Sequence, residues 1–341
     1  MTDTVTVPLL SVENLKVRFA TPEGLVTAVD GVDLQLGHGE RLGIVGESGS
    51  GKSVLIRTIM GLYRPGDASI EGDVVFDGRR VLTMTPRERR RIWGSEIGMI
   101  FQDPMNSLHP ITPVGAQIAE ALRLHRGMTR KEAAERAVEL LDLVKIADPR
   151  RRSRQRAHEL SGGMRQRVMI AMAMACEPKL LLADEPTTAL DVTVQARILE
   201  LFDSLCGEFG IGLILVSHDL GVVGRHTDRV AVMYAGQVGE TGSVRQVLER
   251  PTMRYTGALL DAAPRWGRDH QVLPTPIGGQ PPNLLTLGPG CHFAPRCPGA
   301  TDRCREARPA LVAVPGQPEH RAACWHPIDA PDPAEREVTV R

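Results

Sequence analysis

The segment GESGSGKS (residues 46–53) combines glycines, a lysine and serines at a spacing that suits phosphate binding. It fits the pattern G-x-x-x-x-G-K-S/T. Glycines let backbone N–H groups curl round phosphate oxygens, and a helix that follows adds the positive end of its dipole. The apolar strand RLGIVG precedes the segment and the apolar helix SVLIRTIMGL follows it, so a plain Gly/Ser turn is the weaker alternative. We therefore assign nucleotide binding to Gly46, Glu47, Ser48, Gly49, Ser50, Gly51, Lys52 and Ser53.

Within this phosphate loop, Lys52 supplies a positive charge toward the outer phosphates, and the Ser53 hydroxyl can ligate Mg²⁺. Two carboxylates follow the buried strand predicted for LLLADEP (residues 180–186). Ligands bind at the carboxyl ends of parallel strands. Asp184 is therefore a candidate to bind magnesium, either as a direct ligand or from the second coordination sphere. Glu185 points differently and is the candidate general base for water. The alternative is an acidic pair at a helix N-terminus.

A histidine lies at the end of another predicted strand. In LILVSHD, His218 follows the strand directly and so reaches the same edge of the sheet as the two carboxylates. A lone histidine is often structural, but this position favours a contact with the γ-phosphate.

A second helix start suited to phosphate lies in LSGGMRQR (residues 160–167), more than a hundred residues beyond the first loop. Ser161 is placed as the N-cap, and the two glycines follow it into the helix. The N-terminus of such a helix favours an anion. A chain that already has one complete phosphate loop has no evident internal use for another.

Composition places the chain among soluble globular proteins of one large or two modest domains. It has 341 residues, of which 42% are apolar and 24% charged, and its formal net charge is zero. Bulk charge therefore favours neither nucleic acid nor an anionic membrane surface. The start MTDTVTVPLL has no basic residues followed by an apolar run, and no later run approaches a membrane span. We expect a cytoplasmic protein whose membrane role, if any, comes through partners.

The order of predicted elements indicates a parallel, doubly wound sheet. Short strands dominate before about residue 100, helices follow to about residue 175, and strands and helices then alternate. One helix, TRKEAAERAVELLDLV, has an apolar face formed by Ala133, Ala137, Leu140, Leu141 and Val144. Beyond residue 260 proline and glycine become dense and periodicity fades. We therefore predict one domain over residues 1–260 and a C-terminal extension over residues 261–341.

Together, these motifs resemble the nucleotide-binding subunit of an ABC transporter. Residues 46–53 match the Walker A loop, residues 180–185 match Walker B, and LSGGMRQR matches the family signature. Gln102 in FQDP matches the Q-loop, Asp191 in ALD the D-loop, and His218 the switch histidine. The resemblance runs from residue 9 to about residue 260, with the six motifs in the family's order. It implies a P-loop ABC ATPase with a RecA-like parallel-sheet core, an antiparallel β subdomain, an inserted helical subdomain at about residues 103–178, and a small cysteine-containing C-terminal extension.

The resemblance also implies roles for individual residues. ATP and Mg²⁺ are the expected ligands, with Ser53, Gln102 and Asp184 on the metal and with Glu185, His218 and Gln102 as catalytic residues. Two ATPase subunits pair head to tail in this family, so the signature residues contact ATP held by the partner's Walker A loop. These residues are Ser161, Gly162, Gly163 and Gln166. The second helix start is thereby explained. Phe19 lies where the family stacks adenine, although simple core packing is the alternative.

Individual sequence segments resemble those of the dipeptide and oligopeptide import subgroup. RYTGALLDAAP, GGQPPNL and GCHFAPRC are its most specific signals, whereas Met253 and Arg254 replace its usual His-Pro. The resemblance implies two membrane permease subunits, a second and usually different ATPase chain, and an extracytoplasmic binding protein as partners, with no nucleic acid. It also implies a peripheral location at the cytoplasmic face of the inner membrane, with the permeases docking around residues 102–113.

Other functions stay open at this stage. The same kind of ATPase could power transport of nickel or a haem-like solute in place of peptides. A soluble ABC ATPase that acts on ribosomes or DNA would usually carry two cassettes or a long coiled-coil insert, and the sequence has neither. A plain P-loop kinase or GTPase would lack the signature helix and the switch histidine.

Four of the six cysteines lie in the C-terminal extension, at the spacing C-x₅-C-x₆-C-x₁₉-C. Cys176 and Cys206 have apolar neighbours and are expected to be inert core residues. For Cys291, Cys297, Cys304 and Cys324 the candidates are two disulfides, unrelated core thiols, a zinc site and a [4Fe–4S] cluster. A cytosolic compartment disfavours disulfides, and structural zinc usually takes ligand pairs two to four residues apart. The wide spacing suits a cluster, which takes four cysteines and is also a plausible feature of importers with this tail.

Overall fold

A computed structural model describes residues 7–64, 66–103, 107–188, 190–263 and 274–328. Its strands are β1 (Leu10–Thr21), β2 (Gly24–Leu36), β3 (Arg41–Val45), β4 (Ser69–Phe76), β5 (Arg79–Arg80), β6 (Ile97–Ile100), β7 (Leu180–Asp184), β8 (Gly212–Ser217), β9 (Arg229–Tyr234), β10 (Gln237–Ser243), β11 (Val312–Val314) and β12 (Gln317–Ala322). Its α-helices are α1 (Lys52–Ile59), α2 (Pro86–Ile92), α3 (Val114–Arg126), α4 (Arg130–Leu143), α5 (Pro149–Arg152), α6 (Gly162–Met174), α7 (Val192–Phe209), α8 (Leu220–His226), α9 (Arg254–Ala262) and α10 (Asp302–Glu306).

These residues form two compact units. The first unit holds residues 7–9, Leu36–Glu40 and Asp77–Leu215, and the second holds Leu10–Gln35, Arg41–Phe76 and the described residues from Val216 onward. Each unit therefore draws on separate parts of the sequence. Neither follows a simple division of the chain into an N-terminal and a C-terminal half.

The first unit contains parallel strands and most of the helices. Strand β6 pairs in parallel with β7, with Ile97 opposite Leu180, and β8 begins on the other side of β7. Every residue of β7 is buried, as its run of apolar residues predicts. Strand β7 therefore delivers the side chains that follow it to the carboxyl edge of a buried sheet.

Some helices of the first unit begin at a residue whose side chain caps them. Thr129 caps α4 in a capping box with Glu132, and Ser161 caps α6 by accepting a hydrogen bond from the Met164 N–H at 3.3 Å. The five apolar residues of the α4 face predicted from sequence are all buried. The amphipathic assignment of this helix is thus confirmed.

The second unit contains two sheets. Strands β2, β1 and β4 lie in that order, and β1 pairs antiparallel with β4. In the other sheet the order is β11, β12, β10, β9 and β3. Strands β3 and β9 pair in parallel, whereas β9, β10, β12 and β11 pair antiparallel in succession. The C-terminal extension therefore contributes two strands to the sheet that carries the phosphate loop.

A buried hydrogen bond between side chains reinforces the junction between β10 and β12. His320 Nε2 lies 2.7 Å from Glu240 Oε1, and both side chains are essentially inaccessible to water. The Glu240 carboxylate also accepts hydrogen bonds from the backbone N–H groups of Thr252 and Met253 at 2.6 and 3.0 Å. A buried carboxylate needs such partners, because an unpaired buried charge is costly.

Among the described residues, no helix is both long and apolar enough to cross a membrane.

Candidate functional site

The phosphate loop connects buried strand β3 to helix α1 within the second unit, as predicted. Gly46 has a φ of 151° and Gly51 a φ of 98°, both in the region that favours glycine. A Cβ atom at Gly46 would lie 2.2 Å from the Met233 carbonyl oxygen, and one at Gly51 would lie 2.2 Å from that of Ala28. Only glycine allows the loop to pass this close to the neighbouring backbone. The two glycines therefore fix the shape of the loop.

Polar groups of the loop are arranged to receive an anion. Lys52 Nζ donates hydrogen bonds to the carbonyl oxygens of Gly46 and Glu47 at 2.8 and 3.0 Å, and its side chain is buried. Helix α1 starts after Gly51 with no side-chain cap and no acidic residue in its first turn. The Ser50 hydroxyl is buried without a hydrogen-bond partner among the described residues. An uncapped helix N-terminus beside a lysine is a suitable environment for phosphate.

Phe19 lies half-buried on β1 in the same unit as the loop. Its ring meets that of Tyr63 edge to face, with centroids 5.3 Å apart. The sequence analysis did not consider Tyr63 for adenine stacking, although it is a second half-buried aromatic residue shortly after α1. Stacking of adenine on Phe19 stays a prediction.

In the first unit the structure brings Gln102 and Glu185 together. Gln102 Nε2 donates a hydrogen bond to Glu185 Oε2 at 3.2 Å, and the Thr188 hydroxyl donates to the same oxygen at 3.0 Å. Glu185 has a φ of 45°, which is unusual for a residue with a side chain and is typical of functional positions. Asp184, one residue earlier, is fully buried at the end of β7. The two carboxylates thus lie in different environments, as expected for different roles.

The three residues predicted to bind Mg²⁺ belong to different units. Ser53 is in the second unit, whereas Gln102 and Asp184 are in the first. Their shared role as ligands of Mg²⁺ stays a prediction.

The signature segment presents Ser161 and Gly162 on the surface of the first unit, at the start of α6. A Cβ atom at Gly162 would touch only Leu190, at 3.7 Å, whereas one at Gly163 would lie 2.8 Å from a Val194 methyl group. Gln166 is 1% exposed, unlike Ser161 and Gly162. The first two residues are therefore accessible to another chain, while Gln166 lies beneath them in the core.

Two further predicted site residues sit at helix starts. Asp191 caps α7, since its side chain accepts a hydrogen bond from the Val194 N–H at 2.9 Å. His218 is exposed directly after β8, and Asp219, the next residue, caps α8. His218 therefore lies at the carboxyl end of its strand, as the sequence predicts. Its contact with a γ-phosphate stays a prediction.

The four cysteines of the extension surround one small cavity in the second unit. Cys291, Cys297, Cys304 and Cys324 all line a space of about 20 Å³ whose walls include Tyr255, Phe293 and Trp325. All four are free thiols, and burial raises the pKa of Cys291 and Cys297. Within the described part of the chain, no group of three or more Cys, His, Asp or Glu side chains is placed to hold a metal ion. The four thiols therefore share one cavity, but their side chains are not arranged to hold a metal ion.

The remaining cysteines behave as predicted. Cys176 and Cys206 are buried at 0% and 3% exposure. They are core residues of the first unit.

Comparison with known proteins identifies the family. Residues 29–188 match the ABC transporter family, and residues 240–304 match the oligopeptide/dipeptide transporter C-terminal region. The chain is 50% identical over 321 residues to the oligopeptide transport ATP-binding protein OppD of Salmonella typhimurium, covering 94% of each chain. This chain belongs to the oligopeptide/dipeptide group of ABC transporter ATP-binding proteins. As an ABC ATPase, it hydrolyses ATP in a reaction coupled to transport.

Other members and solved structures agree with this assignment. The dipeptide transport ATP-binding protein DppD of Bacillus subtilis is 46% identical over 318 residues, covering 93% of this chain and 94% of the relative. The ATP-binding cassette MJ0796, in a dimeric post-hydrolysis state bound to ADP and Pi, superposes with a TM-score of 0.63 at 31% identity. That match covers 69% of this ABC ATPase and 99% of the cassette. The predicted fold class is confirmed.

Two residues of this ABC ATPase that hold Glu47 were not predicted from the sequence. Arg296 and Tyr255, both well beyond the phosphate loop in sequence, contact Glu47 through its side chain and its backbone. Nothing in the local sequence pairs them with the loop. Tyr255 lies in the segment RYTGALLDAAP and Arg296 in GCHFAPRC, which are two of the three stretches that resemble the import subgroup.

Proposed function

We propose that this chain is the ATP-hydrolysing subunit that powers import of dipeptides and oligopeptides through a membrane ABC transporter. The observation that carries the proposal is the 50% identity to an oligopeptide transport ATP-binding protein over 94% of both chains. The match of residues 240–304 to the oligopeptide/dipeptide transporter C-terminal region supports the peptide substrate. Peptide would not touch this subunit, since its own substrate is ATP.

In the proposed reaction the phosphate loop binds the ATP phosphates through its backbone N–H groups and through Lys52. Ser53, Gln102 and Asp184 would hold Mg²⁺, which would supply positive charge to the phosphates. Glu185 accepts a proton from the attacking water, and the hydrogen bond from Gln102 aims its carboxylate. His218 contacts the γ-phosphate from the end of β8. Phe19 supports the adenine ring.

We also propose that the signature residues act on ATP bound to a second subunit. Ser161 and Gly162 are exposed at the N-terminus of α6, where N–H groups and the helix dipole favour the γ-phosphate. Gly163 allows close packing behind them, and Gln166 supports the helix from within. The second subunit would be a different ATPase chain. ATP would then stabilise the closed pair, and hydrolysis would release it.

The proposed membrane partners are two permease subunits, which would hold this chain at the cytoplasmic face of the inner membrane. An extracytoplasmic binding protein would deliver the solute to them. Phe101, just before the predicted docking segment of residues 102–113, and Ile111, within it, are exposed apolar residues. Residues 104–106 of that segment lie outside the described residues. We propose no nucleic-acid partner, in line with the zero net charge.

Uptake by a strain that lacks this chain tests the substrate. The strain should lose uptake of a labelled tripeptide. The wild-type chain and Lys131→Ala, which changes an exposed lysine of α4, should restore this uptake, but Lys52→Ala should not. Loss of nickel uptake with normal peptide uptake would move the substrate to nickel. Normal uptake of both would contradict an importer of either solute.

The proposed organisation keeps the ATPase domain at residues 1–260, with its helical subdomain at about residues 103–178 and an extension at residues 261–341. For this extension we propose a [4Fe–4S] cluster on Cys291, Cys297, Cys304 and Cys324, with zinc as the alternative. The support is that four thiols line one apolar cavity. The cluster would have a structural or redox role, because the extension contains none of the ATPase motifs.

Metal analysis of protein purified without oxygen tests the cluster. We expect brown protein with about four irons per chain. Cys297→Ser should lower the iron content, whereas Cys206→Ser, which changes a core cysteine, should not. Colourless protein with one zinc would move the proposal to zinc. Metal-free protein with a folded extension would refute both.

A further inference from the structure

Glu47, the second residue of the phosphate loop, is held by two residues from outside the loop. Its carboxylate forms a bidentate ion pair with Arg296, with Nη1–Oε2 and Nη2–Oε1 distances of 2.6 and 3.0 Å. Its backbone N–H donates a hydrogen bond to the Tyr255 hydroxyl at 3.0 Å. Both the side chain and the backbone of Glu47 are therefore fixed from the C-terminal side of the chain.

Arg296 is itself firmly positioned. Its side chain is 4% exposed, and its guanidinium also donates to the carbonyl oxygens of Gly278 and Ile277 at 2.9 and 3.4 Å. The guanidinium carbon lies 6.0 Å from the ring centroids of both Tyr234 and Phe293. A planar group with so many fixed donors loses little freedom when it binds a carboxylate. Arg296 is thus a rigid support rather than a mobile surface side chain.

The support for Arg296 comes from the cysteine-containing extension. Cys297 follows Arg296 directly, and Phe293 lies on the wall of the cavity that the four cysteines share. Tyr255 lines the same cavity and packs on Tyr234 and Phe293, with ring centroids 4.4 and 5.2 Å apart. One aromatic cluster therefore joins the cysteine cavity to the two groups that hold Glu47.

We propose that Arg296 and Tyr255 are positioning residues for the phosphate loop, so that the extension, through Arg296, sets the affinity of the subunit for ATP. Arg296 binds the Glu47 side chain, and Tyr255 binds its backbone. Lys52 Nζ donates a hydrogen bond to the Glu47 carbonyl oxygen. The position of Glu47 therefore also affects the position of the Lys52 charge proposed to bind the phosphates. This inference rests on the proposed ATP site. It goes beyond that site by assigning it a control element in a part of the chain that has no ATPase motif.

The expected effect follows from the population of loop conformations. The apparent dissociation constant of a ligand rises as the fraction of protein in its binding-competent form falls. If the loop without Arg296 keeps its shape about a tenth of the time, the Kd for ATP rises about tenfold, equivalent to about 1.4 kcal/mol. Chemistry after binding would be unchanged, so the rise should affect KM rather than kcat.

The experiment measures the Kd for ATP of the full chain with a fluorescent ATP analogue, together with thermal unfolding without nucleotide. Arg296→Gln should weaken binding about tenfold, and Arg296→Lys, which keeps the charge without the bidentate geometry, should fall between it and wild type. Glu47→Gln should weaken binding, and the double variant Glu47→Gln/Arg296→Gln should bind about as well as the weaker single variant. Tyr255→Phe should weaken binding through the Glu47 backbone.

Arg308→Gln is the matched control. Arg308 is also in the extension, but its carboxylate partner is Asp30 of β2, at 2.6 Å, and not Glu47. Equal ATP affinity in wild type and Arg296→Gln, equal weakening by Arg308→Gln, or additive effects of the Glu47 and Arg296 changes would each overturn the proposal. Lys52→Ala separates this failure from failure of the ATP site. If Lys52→Ala abolishes ATP binding while Arg296→Gln does not weaken it, only the positioning role is refuted.

Discussion

Replacement of Glu185 by glutamine tests the proposed general base directly. The carboxylate of Glu185 accepts hydrogen bonds from Gln102 and Thr188 on one oxygen, at 3.2 and 3.0 Å. Glutamine has the same shape and keeps an oxygen acceptor, so Glu185→Gln removes the charge and the proton acceptor with little change in packing. Loss of a general base costs about 10²–10⁴-fold in rate, or about 2.7–5.5 kcal/mol. ATP binding should be retained, because Glu185 does not belong to the phosphate loop.

Thr188→Ala supplies the matched control. It removes one hydrogen bond to the same carboxylate oxygen while leaving the proton acceptor in place. Thr188 is exposed, so water can replace its hydroxyl, and the net loss of about 1 kcal/mol corresponds to less than about tenfold in rate. The assay is phosphate release by the assembled transporter at saturating ATP. Turnover by Glu185→Gln within a few-fold of wild type, or equal losses in the two variants, would refute the assignment of Glu185 as the base.

Three further predictions concern other parts of the chain. Gly162→Asp should leave ATP binding by the isolated subunit intact, because its own unit has room for the side chain. It should abolish dimer-coupled hydrolysis, because in the proposed pair the new charge would face the partner's γ-phosphate. Gly207→Asp, in open space on α7, is the control. Phe19→Ala should weaken ATP affinity roughly two- to tenfold if adenine stacks on it, and an unchanged Kd would exclude stacking. The hydrogen bond from Arg79 holds the pKa of Glu96 below its usual value, so this stabilisation is present above the unfolded-state pKa and lost as the pH falls through the folded-state value. In Glu96→Gln, the free energy of unfolding measured by urea titration should therefore fall less below about pH 5 than it does in wild type. An equal fall in both proteins would contradict this prediction.

Elements with a strong local pattern could be predicted from sequence. The strand, loop and helix around Lys52 follow from an apolar run, a glycine pattern and a second apolar run, each of which acts over a few residues. The start of α4 follows in the same way from the capping box of Thr129. Such signals depend on neighbouring residues alone, so no tertiary information is needed.

The missing part of the site depends on contacts between distant residues. Glu47 and Arg296 are separated by 249 positions, and an ordinary Glu and an ordinary Arg give no sign of their partnership. Gln166 illustrates the opposite case, since its motif places it in the signature while the fold buries it at 1% exposure. The cysteine spacing likewise predicts a common site but not how closely the sulfur atoms meet.

The pairing of β12 with β10 has a consequence for shortened forms of the protein. Strand β10 uses one edge to bind β9 and the other to bind β12, with Glu240 opposite Ala322. The outermost strand of this row is β11, which has only three residues, and short edge strands resist addition of further chains. A chain ending after α9 would leave the seven-residue strand β10 with an open row of backbone donors and acceptors. It would also leave the carboxylate of Glu240 without its histidine partner. Strand β12 of the extension thus occupies the edge of β10 that could otherwise pair with another chain. A shortened ATPase domain is expected to self-associate through this edge as its concentration rises.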